Sequence, residues 1–173
     1  MSNTQHNISA KIESSNETSK PNQKYPEMYQ VPPEIEKKMF EEAYKVRDRA
    51  YCVYSKFNVG AALLTPEGEI VPGCNIENAS YGHTICAERS AICKGVSEGK
   101  RKFVAVAIVT NCEEFVSPCG ACRQMLREFA NPKEMCVMLD DNKNNHLKKP
   151  LEWFLPMSFG PDNLLDEENN SKF

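Results

Sequence analysis

Three consecutive blocks decide the fold: Cys86-Ala-Glu-Arg-Ser-Ala-Ile-Cys-Lys-Gly-Val96, Phe103-Val-Ala-Val-Ala-Ile-Val-Thr110 and Pro118-Cys-Gly-Ala-Cys-Arg-Gln-Met-Leu-Arg-Glu-Phe-Ala130. The first reads as a helix from Cys86 to Val96, with Gly99 just beyond its end. The third reads as a helix from Cys119 to Ala130, stopped by Asn131-Pro132. The block between them is apolar and β-branched, as a strand covered on both faces must be. Upstream, Phe57 to Leu64 and Glu69 to Asn75 flank Thr65-Pro-Glu-Gly68, a turn signal, and predict a hairpin. Pro72 in its second arm predicts a bulge or a sheet edge. Further upstream, Pro32-Pro33 opens a helix whose apolar face is Ile35, Met39, Ala43, Val46 and Ala50. Downstream come a strand from Met135 to Asp140, a last strand within 141–149 and a short helix from Leu151 to Leu155. Strands alternating with helices predict an α/β fold, helices packed on a mixed sheet. The domain spans 31–161. Residues 1–30, with seven apolar side chains and no period, form a disordered tail, and 162–173 form an acidic one.

The 173 residues carry 21 Lys and Arg against 24 Asp and Glu, a net charge of −3. The last twelve residues alone account for that excess, so the rest is neutral. A polynucleotide partner calls for a surplus of Lys and Arg, and none is present. The longest apolar run, Phe103 to Val109, is far short of the ~18 residues of a membrane span. No charged-then-apolar leader stands in residues 1–30, so the expected location is cytoplasmic, where thiols stay reduced. There, clustered cysteines point to metal or catalysis rather than to disulfides.

Three of the eight cysteines fall at two helix starts, Cys86 and the pair Cys119 and Cys122. The dipole and free N–H groups of a helix start favour thiolates. Three thiolates leave zinc's fourth tetrahedral position for water, the catalytic arrangement. Two other readings compete: a redox Cys-x-x-Cys pair, or a closed structural site with Cys112 or His83 as fourth ligand. Glu88, two residues after Cys86, fits neither. A carboxylate beside a zinc site can take a proton from the bound water and pass it to a leaving group.

These motifs resemble the small, three-cysteine, homotetrameric cytidine deaminases. The resemblance runs from about Glu34 to Pro161. It includes Tyr54-Ser-x-Phe57-x-Val59-Gly-Ala-Ala62, Gly73-Cys-Asn-Ile-Glu-Asn-Ala79, Cys86-Ala-Glu-Arg89, Pro118 to Gln124 and Ser158-Phe-Gly-Pro161. It implies a three-layer fold, helix, mixed β-sheet and helix, with one zinc ion per subunit on Cys86, Cys119 and Cys122. Cytidine and deoxycytidine would be hydrolysed to uridine and deoxyuridine plus ammonia, zinc hydroxide attacking C4 while Glu88 shuttles protons. Asn75 and Glu77 match contacts to the sugar hydroxyls, and Phe57 a ring lining the pocket. The N–H of Ala87 and the carbonyl of Ser117 would read the pyrimidine edge. Arg89 is similar to a donor to the ligand sulfurs, with Gln124 assisting. The apolar stretch Leu151 to Phe159 suits an interface, and the resemblance implies that Phe159 reaches a neighbour's pyrimidine at a border ordered by Tyr81.

His83 and Thr84 depart from the family's pattern just before the first cysteine. Cys52, Cys74, Cys93, Cys112 and Cys136 are expected to be small buried hydrophobes, and His6 and His146 to be solvated. Three rival functions remain: a deaminase of another cytosine compound, a polynucleotide editor, and a zinc-binding module without catalysis.

Overall fold

The computed structural model describes residues 25–165; residues 1–24 of the expected N-terminal tail, with His6, and residues 166–173 of the acidic tail lie outside them. Helix α1 (Pro33–Arg47) starts on its proline, where a missing N–H breaks no helical bond. Strands β1 (Val59–Leu64) and β2 (Ile70–Cys74) form the expected hairpin, followed by a 3₁₀ turn at Tyr81–His83 and helix α2 (Ala87–Ser97). Strand β3 (Ala105–Thr110), helix α3 (Gly120–Glu128), strands β4 (Cys136–Asp140) and β5 (His146–Pro150), and the short helix α4 (Leu151–Phe154) complete the order.

The five strands make one mixed sheet in the order β2-β1-β3-β4-β5. Only β3 and β4 run parallel, joined through α3. Pro72 lies on the outer strand β2, where its missing N–H costs the sheet least. Because successive strand residues point to opposite faces, the sheet feeds two cores. Ala62, Leu64, Ala105, Ala107, Val109 and Met138 pack against Met39, Phe40 and Ala43 of α1. Leu63, Val106, Ile108, Val137 and Leu139 pack with Ala87, Ala91 and Ile92 of α2, Leu126 of α3 and Leu151 and Phe154 of α4. That is three layers, with every residue of β3 buried.

One expectation fails here, and another is incomplete. His146 is exposed, as expected, but it is held by partners. Antiparallel pairing sets it opposite Asp140, and its ring nitrogens lie 3.1 Å from Glu36 and 3.0 Å from Asp140. The ring stacks on Phe40 at 4.1 Å. Cys93 is exposed on α2 rather than buried, whereas Cys52 and Cys136 are buried and Cys74 and Cys112 half-buried.

The helix bearing Cys86 and Glu88 lies so close to β2 that only glycine fits beneath it. A Cβ on Gly73 would come 2.3 Å from the Ala91 nitrogen and 2.8 Å from the Ala87 carbonyl oxygen. Both are backbone atoms, so the helix must move as a body. Gly73→Ala is therefore expected to cost about 3 kcal/mol, at the upper end of overpacking. It should lower the urea midpoint at unchanged slope and reduce zinc content, because α2 carries one sulfur away from the other two. A midpoint equal to that of the unsubstituted protein would refute this account.

Candidate active site

Cys86 and Cys119 are the N-cap residues of α2 and α3, each in extended geometry. Their carbonyls accept the first helical bonds, from Ser90 at 2.9 Å and Arg123 at 3.0 Å. Cys122 follows one turn into α3, on the same side as the cap. The Cys86 and Cys119 sulfurs are 3.8 Å apart and those of Cys119 and Cys122 3.5 Å. All three lie within 4.8 Å of one another. Tetrahedral zinc with bonds of about 2.3 Å separates its sulfurs by about 3.8 Å. The spacing fits.

The electrostatics fit too. A hydrogen bond from the Cys122 thiol, joined by Arg89 and Cys119, outweighs burial and lowers Cys86 to about 5. Cys122 is pushed up in return, chiefly by that same bond to Cys86. Sulfurs that share protons at this distance are matched to a divalent cation, which replaces those protons on binding. Arg89 adds positive charge. Its Nη2 donates to the Thr84 carbonyl at 2.8 Å and to the Cys86 sulfur at 3.7 Å. Its buried Nε has no hydrogen-bond partner among the described residues.

Glu88, in the first turn of α2, is 4% exposed. Burial, and after it the charge on Cys86, raises its pKa above the usual carboxylate range. A group between water and leaving group needs such a proton affinity.

The predicted substrate contacts fall into two groups, one on the segments that precede and open α2 and one tied to α3. Ala87 is buried at the first position of α2. Asn75, 8% exposed, donates from Nδ2 to the Phe57 carbonyl and accepts from the Val59 N–H, both at 2.8 Å. Glu77 accepts from the Tyr54 N–H at 2.8 Å and the Ser55 N–H at 3.2 Å. Tyr81, 77% exposed, meets Tyr54 edge-on. His83 contacts Ser80 at 3.0 Å, and Thr84 accepts from the Asn78 N–H at 3.2 Å and closes the 3₁₀ turn.

The second group hangs on α3. Arg123 donates to the Pro118 carbonyl, the Ser117 hydroxyl and the Phe154 carbonyl, all within 2.7–2.8 Å. Gln124 donates to the Phe159 carbonyl at 3.0 Å. Arg127, only 7% exposed, bonds Ser158 and pairs with Asp162. These two arginine clamps escaped the sequence reading. Their signal was the polar face at 123, 124 and 127 of a helix whose other side is buried. Phe159 itself is held by its backbone, with 60% of the residue exposed.

Comparison with known proteins agrees with this geometry. The family description of the cytidine and deoxycytidylate deaminase zinc-binding region matches residues 33–139. The cytidine deaminase of Sporosarcina psychrophila is 48% identical over 127 residues, 73% of this chain and 93% of that one. That of Halalkalibacterium halodurans is 43% identical over 128 residues, 74% and 96% of the two chains. Among solved structures, the cytidine deaminase of Burkholderia pseudomallei superposes with a TM-score of 0.68 at 39% identity, covering 71% of this chain and 98% of that one. The enzyme of Mycobacterium tuberculosis gives 0.63 at 36%, covering 72% and 96%.

The raised pKa of Glu88 has a consequence for stability. The folded protein without metal holds this proton to higher pH than the unfolded chain does. Its stability therefore falls as pH rises from the unfolded pKa through the folded one. Glu88→Gln removes that penalty. Metal-free Glu88→Gln should melt above metal-free wild type at pH 7, the gap closing as pH approaches about 4, where the unfolded carboxyl also protonates. A gap that does not change with pH would reject the assignment.

Proposed function

The chain belongs to the cytidine and deoxycytidylate deaminase family, and from that premise we propose that it hydrolyses cytidine and deoxycytidine to uridine and deoxyuridine, releasing ammonia. One observation carries the reading: three sulfurs at zinc spacing with a buried carboxyl two residues from one of them. Zinc, when bound, lowers the pKa of a water from about 15.7 to about 7 and so supplies a nucleophile at neutral pH. Cys86, Cys119 and Cys122 hold the ion, one per subunit. Glu88 takes the proton from the water and delivers it to N3 of the cytosine ring. It then carries the second proton to the amino group, which leaves as ammonia. Burial keeps that carboxyl basic enough to accept a proton and water from stealing it.

The remaining assignments follow the same logic. The Ala87 N–H and the Ser117 carbonyl face the pyrimidine edge, both flanking zinc ligands. Asn75 and Glu77 take the sugar hydroxyls, and Phe57 lies against the nucleoside. Three thiolates outweigh a divalent ion by one charge, making the site a poorer Lewis acid. Arg89 offsets this through its bond to Cys86. Gln124 serves the site by holding Phe159. The catalytic domain spans 31–161 and works in the cytoplasm; all eight cysteines are free thiols, and no helix of the described residues is long and apolar enough to cross a membrane.

The protein acts as a homotetramer with shared sites. In support, Tyr54, Tyr81, Phe115, Met157 and Phe159 are all exposed in one chain, Tyr54 and Tyr81 meeting edge-on, and large exposed apolar residues are what an interface covers. Phe159 closes a neighbour's pyrimidine pocket, and Tyr81 orders that border.

Two experiments test these statements. Loss of cytosine absorbance with cytidine, deoxycytidine, CMP and single-stranded DNA separates nucleosides from nucleotides and polynucleotides; only the nucleosides should react efficiently. In the same assay Glu88→Gln should keep its zinc and lose at least ~10⁴-fold in kcat, the upper end for one acid–base group, since one carboxyl serves several transfers. Retention of a tenth of the rate would remove Glu88 as shuttle.

For the shared site, Glu88→Ala and Phe159→Ala chains are co-expressed. Hybrids contain sites pairing an intact Glu88 with an intact Phe159 from another subunit, and activity should partly return. Hybrids no better than the mean of their parents would place Phe159 in its own subunit's site.

A further inference from the structure

Ser55 belongs to the Tyr54-Ser-x-Phe57 motif, yet nothing above gives it a task. It sits where the chain makes a forced turn. Lys56, the next residue, has φ 58°, in the left-handed region that non-glycine residues seldom enter. That turn folds the Ser55 hydroxyl back against two different parts of the site.

One contact is with the Glu77 carboxylate, which lies in hydrogen-bond contact with the Ser55 hydroxyl. The other is with the backbone of Phe57, whose N–H donates to the same oxygen at 3.0 Å. The direction of both bonds is determined. The hydroxyl accepts from Phe57, and an ionised carboxylate only accepts, so the single hydroxyl proton points at Glu77. The Ser55 hydroxyl, and after it the Tyr54 N–H, holds the Glu77 carboxyl below the usual range, which keeps it an acceptor at neutral pH.

Glu77 then receives three donors from the 54–55 turn: the Tyr54 N–H, the Ser55 N–H and the Ser55 hydroxyl. A carboxylate offers about four acceptor positions. About one is left for an incoming hydroxyl, and the three that are filled determine where it points. The carbonyl of Phe57 is held separately, by the Asn75 amide. Ser55 is thus the side chain that couples the Glu77 carboxylate to the segment carrying the Phe57 ring.

We infer that Ser55 is a positioning residue for nucleoside recognition: its hydroxyl aims the free Glu77 lone pair at the sugar and holds the Phe57 backbone in the register that alignment needs. The inference rests on the reading of Glu77 as a sugar contact. The chemistry it serves is a nucleoside with a free sugar hydroxyl.

The test uses the zinc-loaded enzyme and four variants: Ser55→Ala, Ser55→Thr, Glu77→Gln and the double variant Ser55→Ala/Glu77→Gln. Ser55→Ala should lower kcat/KM for cytidine about tenfold, the size of one hydrogen bond to a charged group, mostly through KM. Ser55→Thr, which keeps the hydroxyl, should restore most of it. With 2′,3′-dideoxycytidine, which lacks the 2′ and 3′ hydroxyls where Glu77 is read to bind and keeps only the 5′ one, the Ser55→Ala loss should shrink to about twofold or less. In the Glu77→Gln background Ser55→Ala should add little, the non-additivity of two groups acting as one. Calorimetric binding of the product uridine gives the same comparison without turnover.

A Ser55→Ala loss equal for cytidine and the dideoxy compound, or additive with Glu77→Gln, would overturn the inference and leave Glu77 in place. Should Glu77→Gln itself treat the two substrates alike, the sugar contact and this inference both fall. Zinc content and melting temperature accompany each variant; if Ser55→Ala melts early, the Ser55→Thr comparison across the two substrates decides.

Discussion

Three sulfurs within 4.8 Å cannot all be ionised without a cation among them. That constraint orders everything else in the molecule. Isolated, the cluster relieves its charge by sharing protons, which lowers Cys86 at the expense of Cys122. The fold is what keeps the sulfurs from drifting apart. Two helix starts converge because both helices lie on the same face of one sheet, and one of them is set down on Gly73 with no room for a side chain between. Arg89 and the helix N-termini bring positive potential to the spot. A zinc site of this kind is preformed by packing and completed by the ion.

The same packing gives Glu88 its chemistry. A carboxyl on the first turn of a helix would ordinarily be favoured in its charged form by the helix dipole. Here burial wins and raises the proton affinity instead. A zinc ion held by the three sulfurs would supply the opposing charge, so that a carboxyl made more basic by burial would work with a water made more acidic by the metal. Neither half works without the sheet face that excludes solvent behind them.

Much of this was legible in the residues, because its signals are local. Cys86-Ala-Glu88 and Cys119-Gly-Ala-Cys122 each fall within one helical turn, and the seven-residue apolar run from Phe103 identifies the central strand. Boundaries shifted by one or two residues, since Cys86 and Cys119 cap their helices rather than belonging to them. What escaped was non-local. The partners of the exposed His146 escaped because Glu36 is 110 positions away and Asp140 lies across a turn. Cys93 looked buried because composition says little about which side of an amphipathic helix a residue occupies. The contact between Ser55 and Glu77 spans 22 positions and left no local signal. Spacing reveals groups that share a turn of helix; it is silent about groups joined by chain reversal.

The two faces of α3 explain how the zinc centre and the outer rim are mechanically one object. Its inner side contributes Cys122 and Leu126 to the interior. Its outer side grips Phe154, Phe159, Ser158 and Asp162 through Arg123, Gln124 and Arg127. A Cβ on Gly160 would strike the Arg127 guanidinium at 2.4 Å, so the strap lies directly on the buried arginine. Any tilt of α3 that displaces Cys119 or Cys122 therefore displaces the strap that presents Phe159. The zinc-ligating sulfurs of Cys119 and Cys122 and the exposed ring of Phe159 thus share one short helix as their support.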